Sequence, residues 1–340
     1  MDVDWGLAAR IAKAASGEAP VSEPPATLEE RATAAREQVV EATGLVPIGP
    51  LPPAEWIDRG AWIDANIATM RSTVGPALKA AGGKAGNNPA AHAMQAAAGA
   101  VVAAEIGGLL GMFSRRVLGQ YELNLTEPDS PTRLLLVGPN LDRAVAQLDA
   151  DRDELVTWVT LHEVTHAVQF GAVPWLRPRL GDALQELLKV MDVKADPRAL
   201  LRLGIDDLKA LAGSVREGGL LGAVIGEDRK ALLDQVQGTM GLVEGHAEWT
   251  MDRAGGKVLK DVDGLREAMD RRRGDRAPLL RILDRLLGFD LKLKQYQQGR
   301  EFCDAVVRAR GDQGLTDAWA APELAPTSSE LGDPAAWLAR

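Results

Sequence analysis

A chain of 340 residues with 46% hydrophobic and 26% charged side chains has a globular composition, long enough for one large domain or two modest ones. Its 48 acidic and 39 basic side chains leave a formal charge of −9, which repels phosphate backbones and sets nucleic acid aside as a partner. The lone cysteine, Cys303, excludes an internal disulfide and a thiolate zinc cluster.

The opening MDVDWGLAARIAKAAS has acids where a secretory signal needs a basic start, and no apolar stretch follows them, so a cytoplasmic setting is expected. Residues 1–26 read as one short helix and then irregular chain. Helical signals dominate from Thr27 to about Leu118, broken by the loop-like GLVPIGPLPP (44–53) and GGKAGNNP (82–89). Within them, AMQAAAGAVVAAEIGGLLGMF (93–113) is long enough to span a bilayer. A carboxylate at its middle, Glu105, costs roughly 2.5 kcal/mol or more in lipid, and Ala and Gly gain little there. The expectation is therefore a buried helix packed closely through small residues, with no membrane partner. His92, near its start, reads as structural.

The texture then changes. GQYELNL (119–125) and TRLLLVGPN (132–140), separated by a turn-rich connector, give the one clear β-signal: a hairpin or two adjacent strands. Asp151 followed by Glu154 resembles a capping box and starts a helix that is apolar on most sides, ending near Gly171 and Pro174. Residues 180–256, 262–273, 277–287 and 291–309 read as helices, with interruptions at KADPR (194–198) and EGGLLGAVIGE (217–227). The Pro-rich tail from Gly311 packs back as short turns, and Cys303 sits on an apolar face as a core residue. The fold class is mainly α with a small β-sheet (α+β). Its parts are a helical segment 27–118, a central segment 119–256 and a helical segment 257–340, integrated in one domain.

The chemistry lies in the helix after Asp151, in LHEVTHAVQF (161–170). His162 and His166 are one helical turn apart, roughly 5.4 Å, so both imidazoles can aim a nitrogen at one ion. Glu163 points about 100° round the helix, where it can reach a water on that ion without binding the ion. Two ligands plus a proton-accepting carboxylate is the logic of H-E-x-x-H. A shuffled chain of this composition contains the pattern about 0.003 times, so chance is a poor explanation, and the metal reading outweighs two structural histidines.

A catalytic zinc takes three protein ligands and keeps a position for water. No third histidine follows at metzincin spacing, and Gln169 stands where that pattern has glycine. The remaining candidates are in LVEGHAEWTMD (242–252). Glu244 and Glu248 share one helical face, so one can bind the ion while the other orients a ligand histidine. Glu244 is assigned as ligand and Glu248 as the supporting carboxylate. His246, about 200° round the helix from Glu244, supports the ligands from behind, with ligand and oxyanion-donor roles as alternatives.

HEVTH, the downstream EGHAE, VGPN, QFGAVPWLR, LKLKQYQQGREF and the closing PTSSELGDPAAWLAR together resemble the zincin-like type-2 metallopeptidase family, from about residue 30 to the C-terminus. Within it the chain looks most like the branch associated with deazaflavin coenzyme biosynthesis. The resemblance implies a zincin fold, one zinc ion per chain, and His162, Glu163 and His166 as its functional residues. Glu244 follows by likeness to the EGxA third-ligand helices of other gluzincins. No Gly-rich phosphate cradle for a nucleotide-like cofactor is visible.

A zincin peptidase pairs extended substrate with an edge strand, and RLLLVGPN is placed for that, with an ordinary core strand as the alternative. Tyr296, or less readily His246 or Arg300, would stabilise the oxyanion. The reading is a gluzincin-type zinc hydrolase cleaving peptide bonds with Glu163 as general base. Its rivals are a small-amide or ester hydrolase and a non-proteolytic zincin-fold scaffold serving a biosynthetic pathway. Oligomeric state is not legible.

Overall fold

A computed structural model describes residues 2–81, 89–192, 227–274 and 294–340. The expected loop at 82–88, the breaks at 194–198 and 217–226 and the expected helix at 277–287 lie outside the described residues. In chain order the elements run α1 (Trp5–Ser16), α2 (Leu28–Thr43), β1 (Ala54–Ile57), α3 (Arg59–Thr73) and α4 (Gly75–Ala81). They continue with α5 (Pro89–Ser114), β2 (Gly119–Glu122), β3 (Arg133–Val137), α6 (Gly138–Leu148), α7 (Arg152–Ala172) and α8 (Leu176–Asp192). Then come α9 (Glu227–Val258), α10 (Val262–Gly274), α11 (Lys294–Asp317), α12 (Ser328–Gly332) and α13 (Pro334–Leu338). The protein is mainly helical with one small mixed sheet.

The chain forms two compact units that interleave along the sequence. The first is Met1–Glu37, Ile48–Phe170 and Arg177–Ala195; the second is Gln38–Pro47, Gly171–Leu176 and Asp196–Arg340.

In the first unit the sheet order is β1-β3-β2, with β1 parallel and β2 antiparallel to β3. Leu134, Leu135, Leu136 and Val137 are all fully buried, which is why β3 reads as a continuous apolar run: a strand covered on both faces has no polar side to alternate with. This corrects one expectation. β3 is the central strand, not an edge open to substrate, because β1 closes its other side. The sequence hides β1, since AEWI is four residues long, follows Pro52 and Pro53, and shows no alternation.

One core joins α1, α3, α5 and the Leu135–Val137 face of β3. Asp4 caps α1 by accepting from the Leu7 amide at 2.8 Å, and Asp58 caps α3 from Ala61 at 2.6 Å. The small residues of α5 let α1 approach closely: a Cβ on Gly107 would lie 2.6 Å from the Ala8 carbonyl oxygen, and one on Gly111 would lie 2.7 Å from that of Ala12. That burial is one-sided, however. Met94 and Val101 on the other face of α5 are 71% and 58% exposed, so α5 is a covering helix rather than one enclosed all round.

The VGPN run is a junction. Gly138 opens α6 directly beneath the Trp56 indole, where no side chain would fit. Asn140, fully buried, donates to the carbonyls of Ser114 and Val117 at 2.7 and 2.6 Å and accepts from Arg59 Nε at 2.8 Å. It thereby ties the end of α5 to the start of α3. α7 follows, capped by Asp151, which accepts from the Glu154 amide at 3.0 Å. After it, Arg177 clasps the β2–β3 connector, donating to the carbonyls of Asn124, Glu127 and Pro128 and to the Ser130 hydroxyl.

In the second unit, α9 and α11 cross at glycines. Gly245 of α9 touches Gly299 of α11, and Gly299 touches the Gly241 carbonyl, so backbone meets backbone with no side chain between them. Gly238 makes the same kind of approach to Pro326 and Thr327, ahead of α12, which a Thr327–Glu330 capping box starts. The tail packs back as short helices: Trp319 and Trp337 are buried, the latter with its ring edge-on to Phe302 at 5.3 Å. Gly311, with φ 70°, breaks the helical path of α11. Cys303 is fully buried, and burial pushes its thiol pKa up, as suits an inert core residue.

Two glycines of α9 make a direct comparison. Gly245→Ala sets a Cβ into the Gly299 backbone and 2.6 Å from the Arg300 nitrogen, so it is expected to destabilise by about 1–3 kcal/mol. Gly256→Ala meets nothing within 4 Å, so it should stabilise by up to about 1 kcal/mol through helix propensity. Urea midpoints followed by circular dichroism check both; equal midpoints for the two variants would refute the close crossing.

Candidate functional site

α7 carries the histidine pair on one face. Nε2 of His162 and Nε2 of His166 lie 3.3 Å apart, and the rings are nearly perpendicular, at 86°, with centroids 4.8 Å apart. Two nitrogens bound at 2.0–2.1 Å to one tetrahedral zinc stand about 3.3–3.4 Å from each other. The spacing thus fits a shared ion, and both rings are only half-buried. Nδ1 of His166, turned away from His162, lies 2.9 Å from Oε1 of Gln169.

Glu163 is 8% exposed, unusual for a carboxylate on a helix apolar on most sides. Its Oε2 accepts a hydrogen bond from the Tyr121 backbone amide of β2 at 2.9 Å. That contact requires glycine two residues earlier: a Cβ on Gly119 would fall 2.7 Å from Glu163 Cγ and 2.8 Å from Val159 Cγ1. The Tyr121 ring packs against Phe170 at 6.0 Å, and burial pushes its hydroxyl pKa up. The strand that bonds to the motif helix is β2, an edge of the sheet.

The other candidates belong to the second unit. Glu244 and Glu248 are half-buried, one turn apart on α9. Between them His246 is 1% exposed, its ring stacked on Trp249 at 5.6 Å and edge-on to Trp319 at 5.1 Å. Gly245, inside the EGHAE motif, makes the glycine contact that fixes α9 against α11. Arg300 is held by Asp252, 2.7 Å from its Oδ2, and Asp252 also pairs with Arg266. Tyr296 falls in the first turn of α11; its side chain lies outside the described residues. His92 is exposed near the start of α5.

Three contributors escaped the sequence reading: Gly119, the Tyr121 amide and Gln169. Only Gln169 left a signal, because it follows His166 by three residues and so shares its helical face. The other two depend on a strand meeting a helix forty residues further along the chain.

A family model described as zincin-like metallopeptidase matches residues 3–338. Among solved structures, the chain is similar to a crystal structure of a candidate hydrolase with a novel fold from Chloroflexus aurantiacus. The two are 27% identical with a TM-score of 0.72, over 99% of this chain and 98% of that one. No curated protein matches. The family model and the solved structure together support a metal-dependent hydrolase.

Gly119→Ala should part β2 from α7. The Tyr121 amide then loses its carboxylate acceptor and exchanges its hydrogen faster, and the protein loses about 1–3 kcal/mol of stability. Hydrogen exchange resolved at Tyr121 reads this directly; unchanged protection there would show that Glu163 is not held by the strand.

Proposed function

The chain belongs to the zincin-like metallopeptidase family, and from that premise we propose that it is a zinc-dependent peptidase with Glu163 as its general base. The observation that carries the reading is a buried carboxylate on the same helix as two imidazole nitrogens 3.3 Å apart. His162, His166 and Glu244 are the groups whose chemistry could hold the ion, one per chain. Bound there, zinc supplies a Lewis acid that polarises a carbonyl and lowers the pKa of water to about 7.

The remaining work falls to side chains and backbone of this chain. Glu163 accepts the proton of the water that attacks the amide carbon and returns it to the departing amine. The Tyr121 amide donates to Oε2 and so orients the carboxylate. β2, an edge strand next to α7, is our candidate for pairing with an extended peptide. Glu248 supports a ligand histidine, and Tyr296 assists at the developing oxyanion. The setting we propose is cytoplasmic and the substrate a peptide, with neither nucleic acid nor membrane as partner.

Glu163→Gln should keep one zinc per chain by metal analysis while amide hydrolysis falls by about 10²–10⁴-fold. Undiminished hydrolysis would remove Glu163 as the base, and metal-free wild type purified without chelators would remove the zinc. Among the carboxylates, Glu244→Ala is expected to weaken zinc binding more than the 10–100-fold typical of an outer partner. Glu248→Ala should stay within that range. The reverse order in a chelator competition would exchange their roles.

A further inference from the structure

We infer that Gln169 is a positioning residue that sets the tautomer of His166 and so aims its Nε2 lone pair at the shared ion. The inference rests on the metal site proposed above. Gln169 is fully buried on α7, where a wholly apolar side chain would cost nothing and an amide costs free energy unless it is bonded. Its side-chain oxygen stands 2.9 Å from Nδ1 of His166. An amide oxygen only accepts, so Nδ1 must be the protonated nitrogen, and the neutral ring then presents its lone pair at Nε2. That nitrogen faces Nε2 of His162 at 3.3 Å.

The helix itself builds this contact. A residue three positions after His166 lies on the same face one turn on, so the amide reaches the ring from behind while His162 meets it from in front. Ligand histidines are commonly held by a carboxylate or a carbonyl through the second ring nitrogen. Here the partner is an uncharged side-chain amide. It orients the ring as a carboxylate would, yet adds no negative charge to strengthen the ligand, so the identity of residue 169 sets the affinity of the site.

Long-range nitrogen–proton NMR on the apo protein should show His166 protonated at Nδ1 in wild type, and a mixture of tautomers in Gln169→Met, a near-isostere without the acceptor. Zinc titration against a chromophoric chelator should give a dissociation constant raised about 10–100-fold in Gln169→Met. Gln169→Glu, which restores the acceptor with a charge, should recover wild-type affinity or exceed it. A wild-type His166 protonated at Nε2 overturns the inference even if the methionine variant fails to fold. So does wild-type zinc affinity in a folded Gln169→Met. Wild type that binds no zinc yet shows the Nδ1-protonated ring defeats the metal reading alone and leaves the role of Gln169 on His166 intact.

Discussion

A hydrogen bond joins the sheet to the motif helix, from the Tyr121 amide of β2 to the Glu163 carboxylate of α7. It fixes one oxygen of the Glu163 carboxylate against the strand. The bond is possible only because Gly119 brings β2 against the Glu163 side chain, and β2 is where it is because it pairs with a β3 buried on both faces. The sheet is therefore small for a reason. It need only present one edge strand to one helix, and three strands are enough to bury the central one.

A second constraint recurs in both units, each time as backbone pressed on its neighbour. Gly107 and Gly111 bring α5 against α1, and Gly241 and Gly245 bring α9 against α11 at Gly299. In the second unit this close crossing passes through the EGHAE motif itself. The glycine there serves the packing of the helix, and the carboxylates on either side inherit their placement from it. A run rich in Ala and Gly thus need not imply a weakly specified helix; it records how near the next helix must come.

That His162 and His166 share one helical face was legible because their relation is local: a five-residue spacing pattern on a helix decides which way each side chain points. The helix boundaries at Asp151 and near Gly171 were legible for the same reason. The order of the sheet was not. RLLLV looks the same whether it is flanked on one side or two, and the deciding strand, AEWI, lies far upstream with no alternation of its own. The one-sided burial of α5 was hidden likewise, since uniform small apolar residues erase the periodicity that would separate a covered face from an open one. Gln169 lay in between. Its position on the His166 face is visible from the three-residue spacing, but its burial and the direction of its amide depend on the packed helix.

The clasp at Arg177 bears on how this framework tolerates change. A long connector between two antiparallel strands ordinarily carries several carbonyls that only water can satisfy, and it wanders accordingly. Here one planar guanidinium, anchored at the start of the helix after α7, collects those carbonyls from Asn124, Glu127 and Pro128 at once. The connector then behaves as a closed ring whose circumference is set by a single side chain. A lysine, with its donors gathered at one point, could reach one of those oxygens but not the fan of them. In this loop, arginine and lysine are different architectural parts that happen to share a charge.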